Sequence, residues 1–391
     1  MSSTPASSLL ENASSTVLSS ATTELILEAA ENFHSFSKRR NIYGYELSRP
    51  GNVIFFLLFA CITIFNIVMA FRSKQVWYNV CFICGFLLET LGYLGRLLGF
   101  KSDPGMSSYI LQSFGLTIAP AFIMAGIYFL FAQSVTIHGS QYSVLKPMWY
   151  SYFFITTDVF SMFVQGGGGG LSAMASRGAS IGNLGNTIMF IGILIQIVAM
   201  TIFLVFWFIF LGRTFFHDRH AVPGNWDYKK RGVVNYCKLL FNVPSARSYK
   251  LVQLEQFYNP KYQGVRYRSL YSYFPFALSL AVVLVYIRCV YRVVELRQGY
   301  SGYLMKHEIY LFVLDSLLIL LTGLIFVPFH PMFVFGRDHI LTSKDIKREQ
   351  KGDKQAPVQQ ELVSYTGADD LEKANAYAAR KHQEYQARVS L

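Results

Sequence analysis

Charged residues are scarce. Asp, Glu, Lys and Arg make up only 15% of the 391 residues, against about a quarter in ordinary soluble domains. The five cysteines, Cys61, Cys81, Cys84, Cys237 and Cys289, are too few and too scattered for a secreted disulfide framework. Cys81 and Cys84 have CxxC spacing, but they sit inside an apolar run with no second pair, which argues against a zinc or redox site. The chain starts without a secretory h-region, so the first apolar segment is expected to direct insertion. No Lys-Ser or Lys-Thr follows the run Gly166–Gly170, so that run is not a phosphate loop. No GxSxG nucleophile elbow occurs. The histidines are spread over opposite ends of segments and over loops, so they cannot share a metal. No enzyme, cofactor or metal centre is expected.

Apolar residues are abundant instead, at 52% of the chain, with 34 Phe and 25 Tyr. They come in long blocks. A helix needs about 20 apolar residues to cross the hydrocarbon core. Seven stretches meet that need: 52–71, 76–98, 109–131, 148–164, 187–210, 271–292 and 309–329. The expected fold is an all-α integral membrane protein, a seven-transmembrane helix bundle. Lys and Arg concentrate in the 211–270 loop and in the tail after residue 336, which places those parts in the cytoplasm and the N-terminus outside. The expected organisation is a polar extracellular N-tail over 1–50, a transmembrane domain over 51–335 and a mostly disordered cytoplasmic C-tail over 336–391. Asn12 heads an Asn-Ala-Ser sequon and is a glycosylation candidate on an outside N-tail. The net charge of +12 lies mainly in the 211–270 loop and C-tail. Anionic inner-leaflet lipids are the expected partners there, rather than nucleic acid, and the loop is expected to lie along the membrane surface.

Ionisable residues inside spanning helices cost about 2.5–3.5 kcal/mol each on insertion scales and are functional candidates by default. Here they are Glu89, Arg96, Asp158, Arg288, Arg292 and Asp315, with His307 and Glu308 at the mouth of the last helix. With the N-terminus outside, all fall in the outer half of the membrane. Gln165 is a further candidate to line a polar chamber there. Two readings stay open: charges that pair as glue between helices, or charges that contact a ligand. The glycine run after residue 165 is expected to unwind the helix end over the site or to form a flexible loop. A seven-helix receptor or sensor signalling through the 211–270 loop and C-tail is an alternative, although no Asp-Arg-Tyr-like or Asn-Pro-x-x-Tyr-like switch is present.

Four strings carry a resemblance: LETLGYLGR (88–96), LTIAPAFIMAGIY (116–128), DVFSMFVQ (158–165) running into the glycines, and YLMKHEIYLFVLD (303–315). In this order on these helices, the chain resembles the fungal lipid-translocating exporter family, covering about residues 42 to 335. The resemblance implies plasma-membrane residence, transport of amphipathic lipids such as sphingoid long-chain bases or phospholipids, control of lipid asymmetry, and resistance to toxic amphiphiles. It also implies porphyrin-like amphiphiles as an alternative cargo.

Overall fold

The computed structural model describes residues 48–73, 75–100, 106–175, 182–216, 228, 230–298, 303–336, 343 and 345–349. Asn12 and the rest of the N-tail to residue 47 lie outside the described residues. Every regular element described is helical. Five long helices come first: α1 (Arg49–Arg72), α2 (Val76–Leu98), α3 (Met106–His138), α4 (Pro147–Ala175) and α5 (Gly182–Phe215). Two short ones follow, α6 (Val233–Leu240) and α7 (Pro244–Tyr249), then the long α8 (Ser269–Gln298). The last apolar stretch is divided into α9 (Glu308–Leu311), a π turn (Phe312–Ser316), α10 (Leu317–Phe326) and α11 (Pro331–Phe335).

Six helical stretches are long and apolar enough to cross a membrane. The seventh expected crossing, α4, is not among them, although its 29 residues exceed a bilayer core in length. Asp158, Gln165 and five glycines dilute its hydropathy. It nevertheless runs antiparallel to α5 over nearly its whole length. Tyr150 meets Phe206 with ring centroids 5.8 Å apart, and Phe154 meets Phe203 at 5.3 Å. Further along, Gln165 Nε2 donates to Gln196 Oε1 at 3.1 Å, and Gly168 reaches Met189.

That last contact explains one glycine of the run, Gly168, and the run neither unwinds nor loops. It continues α4 as helix to Ala175. A Cβ on Gly168 would lie 2.4 Å from the Met189 backbone nitrogen, so only glycine lets the two backbones approach. Glycines bring α2 and α3 together in the same way. Gly92 packs on Leu116, and the facing Gly115 of α3 would place a Cβ 2.7 Å from the Leu88 carbonyl.

The helices alternate in direction, which gives the bundle an N-tail end and a loop end. At the loop end, residues 230–266 fold into a cap. Of the loop aromatics, expected with the loop at a membrane surface, Phe215, Phe216 and Tyr249 are buried, Tyr228, Tyr236 and Phe257 are half-buried and Phe241 is exposed; Tyr258 and Tyr262 are buried beside them. Arg266 ties the cap to α3. Its guanidinium holds Glu255 (Nη2–Oε1 2.7 Å) and donates to the Ile137 carbonyl at 2.6 Å. Part of the C-tail joins the cap too, since Ile346 is fully buried and Glu349 accepts from Lys261 at 2.6 Å. Lys250 donates to the Leu239 carbonyl at 2.5 Å and lies over the Phe215 ring. Burial without a carboxylate partner pushes its ammonium down to about 7.

Two outcomes are expected in purified protein. Gly168→Leu overpacks the α4–α5 seam and sharply lowers the yield of monodisperse protein. Gly167→Leu, with nothing within 4 Å of its Cβ, leaves that yield unchanged. For Lys250, the unfolded chain binds the proton between about pH 7 and the ordinary lysine pKa while the folded chain does not, so parent stability rises with pH across that window. The melting temperature of Lys250→Met relative to the parent is therefore higher at pH 6 than at pH 9.

Candidate functional site

The N-tail end holds nearly all the ionisable residues picked out from the sequence, joined by groups that the sequence did not flag. At its rim, Glu308 heads α9. Its carboxylate accepts from the Ser48 backbone at 2.7 Å and from Asn52 Nδ2 at 2.8 Å, and it pairs with Arg96 Nη2. Arg96 Nε in turn donates to Asn52 Oδ1 at 2.6 Å. One buried knot thus joins the start of α1, the end of α2 and the start of α9. Arg96 lies two turns along α2 from Glu89, yet its partner is Glu308 on another helix.

Deeper in, α8 faces the π turn. Arg288 Nε lies 2.6 Å from Asp315 Oδ1, and Arg292 Nη2 lies 3.2 Å from Asp315 Oδ2. Arg292 also holds Glu295 (2.8 Å), which accepts from Tyr291 Oη at 3.1 Å. Arg288 Nη2 donates to the Leu116 carbonyl. That carbonyl is four residues before Pro120, whose ring nitrogen has no hydrogen to give it, so the guanidinium supplies the missing donor. The π turn presents two consecutive polar residues to different neighbours: Asp315 to the α8 arginines and Ser316 to the Tyr93 hydroxyl of α2.

Two carboxylates stand apart. Glu89 is fully buried, with neither oxygen hydrogen-bonded, and the charges of Arg288, Asp315 and Arg292 act on it from nearby. Asp158 of α4 accepts from Tyr128 Oη at 2.9 Å through one oxygen, and its other oxygen has no partner. Tyr128 Oη also lies 3.4 Å from Met200 Sδ. The remaining candidates are less central. Gln165 belongs to the α4–α5 seam. His307 is exposed, bonded to the Tyr303 carbonyl at 2.9 Å, with its ring tilted against that of Tyr303 at 4.1 Å. Asn52, Tyr93, Tyr128 and Ser316 were missed because a neutral polar residue in an apolar run carries no distinctive signal.

The site gathers five carboxylates (Glu89, Asp158, Glu295, Glu308, Asp315) against three guanidiniums (Arg96, Arg288, Arg292). The arginines are all engaged with Glu295, Glu308 and Asp315. Glu89 and Asp158 are the two carboxyl groups in no ion pair among the described residues. Chemically, such a place accepts a proton or a compact cation.

A profile of the RTA1-like protein family matches residues 82–338, about two thirds of the chain. The chain belongs to the RTA1-like family. Among relatives, the sphingoid long-chain base transporter RSB1 of Saccharomyces cerevisiae is 31% identical over 331 residues, covering 83% of this chain and 81% of that protein. Protoporphyrin uptake protein 1 of the same yeast is 27% identical over 255 residues, covering 65% of this chain and 69% of its own length. Protein RTM1 is 24% identical over 244 residues, covering 62% and 64%. No solved structure matches. Family and helices together make this a multi-pass membrane protein with transporter relatives.

The rim knot is open to a direct test. Arg96→Met leaves Glu308 without its guanidinium, a loss of about 3–5 kcal/mol for a broken buried pair. Thermal unfolding in detergent is expected to show a large drop for Arg96→Met and partial recovery in Arg96→Met/Glu308→Leu, where neither charge remains.

Proposed function

We propose that the protein moves single-chain cationic amphiphiles, sphingoid long-chain bases foremost, across the plasma membrane, and that Glu89 receives their ammonium group. The observation that carries this reading is Glu89 itself, a fully buried carboxylate with no hydrogen bond among paired arginines and acids. An ammonium with three donors supplies what that carboxylate lacks. The family relative named a sphingoid long-chain base transporter supports the cargo class.

In this reading α4 is the seventh crossing, because it accompanies α5 over the same depth. The N-tail is outside and the loop end inside, in keeping with the basic residues of the cap. The polar head enters from the rim, where His307, Glu308 and Arg96 stand, while the hydrocarbon chain stays among the apolar helix faces. Arg288 and Arg292 hold Asp315 and balance the charge that remains when the cargo leaves. Asp158, the second unpaired carboxylate, is placed to carry a coupling proton. Release of such bases alters the lipid asymmetry of the membrane and gives resistance to toxic amphiphiles. No chemical step on the cargo is required.

A porphyrin cargo is the second reading, favoured by the relative named for protoporphyrin uptake. A porphyrin's carboxylates would have to meet arginines already held by acids, next to two unpaired carboxylates, so the charge balance favours the base. A sensor that signals through the cap is a third reading and predicts binding without movement.

Sealed liposomes holding purified protein are the test, with a fluorescent sphingoid base as cargo. Transbilayer movement above that of empty liposomes is expected. Glu89→Gln removes a charge-assisted contact of about 1.5–3 kcal/mol and is expected to slow movement tenfold or more, with Asp158→Asn also slower. Full movement by folded Glu89→Gln would falsify the site.

A further inference from the structure

At the loop end, far from the charged network, the end of α5 and the start of α6 enclose an open groove of about 530 Å³. Its walls are apolar, built from Ile209 and Phe216 of α5 and from Val233 and Tyr236 of α6. Arg213, on α5, and Arg231, just ahead of α6, line it as well. Both are exposed, and neither is in an ion pair among the described residues.

Three observations bear on what fits there. Arg213 lies in the last turn of a helix whose apolar run would have just left the hydrocarbon core, so the groove sits at headgroup depth. Beside it, Val233 is 81% and Val234 66% exposed, next to Arg231 and Lys238, the composition of a helix lying in an interface rather than in water. Finally, a Cβ on Gly212 or Gly232 meets nothing within 4 Å among the described residues. Two free guanidiniums over an apolar trough match one ligand chemistry: a phosphate-bearing head with a hydrocarbon tail.

We infer that the α5–α6 groove binds one anionic phospholipid of the cytoplasmic leaflet, its phosphate between Arg213 and Arg231 and one acyl chain against Ile209, Phe216, Val233 and Tyr236. The site is separate from the transport site. It rests on the proposed topology only for the identity of the leaflet. Bound lipid there bridges α5 to the cap, which Arg266 in turn ties to α3.

The test is native mass spectrometry of the full-length protein, released from nanodiscs of phosphatidylcholine containing a minor fraction of phosphatidylserine. Transport is not part of the readout, so the result is independent of the Glu89 assignment. The expected result is one retained phosphatidylserine per protein. Retention falls about thirtyfold in Arg213→Gln/Arg231→Gln, the scale of two lost basic contacts. Arg213→Lys/Arg231→Lys keeps most of it. Gly212→Leu, which fills the trough without meeting a neighbour, abolishes it while leaving the melting temperature unchanged. Three results overturn the proposal. These are equal retention of phosphatidylcholine, retention unaffected by both Arg213→Gln/Arg231→Gln and Gly212→Leu, or a site that inorganic phosphate saturates equally well in the parent and Gly212→Leu.

Discussion

Taking ionised groups out of water into a bundle surrounded by lipid is so costly that each must find a partner, and the N-tail end of this protein is arranged around that demand. Asp315 pairs with two arginines at once, and Arg288 also donates through Nη2 to the carbonyl that Pro120 leaves bare. This one arginine joins α8, the π turn and α3. The Arg96–Glu308 knot does the same for α1, α2 and α9. With the arginines spent in this way, Glu89 and Asp158 remain as the two places where charge balance is left for something else to complete.

The packing that holds these groups at fixed distances combines close backbone approach with buried aromatic side chains such as Phe82, Phe86, Tyr128 and Phe203. Gly92 and Gly115 bring α2 to α3, and Gly168 brings α4 to α5. In a lipid environment, where burying one more leucine gains little, such contacts are a main source of helix association. At the other end, association is water-like, through an aromatic cap and the buried Arg266–Glu255 pair. The protein thus has a tightly ionic N-tail end and an aromatic loop end, joined by continuous helices.

Much of this was legible in the sequence, for identifiable reasons. A charge in an apolar run stands out, so Glu89, Arg288, Arg292 and Asp315 could be named together from their depth alone. Their pairing could not. Arg96 shares a face with Glu89, but helix tilt and crossing bring it to Glu308, and neither is encoded in local spacing. The glycine run reads as a helix breaker by propensity, and contact with α5 overrides that. The aromatic residues of the 211–270 region look interfacial by composition, yet Phe215 and Tyr249 are core while Phe241 is exposed, and composition does not tell them apart. The π turn depends on tertiary contacts to α2 and α8 and leaves no trace in composition.

The central claim is that an unbalanced buried carboxylate selects a cationic head. Equilibrium binding to the protein in nanodiscs of neutral lipid tests it most directly, with a sphingoid base and its uncharged N-acylated counterpart compared as competitors. Saturable binding of the base, with the N-acylated form failing to compete, is the expected result. Equal competition by both would show that the hydrocarbon chain, and not the ammonium, is what the protein recognises, and would contradict the claim.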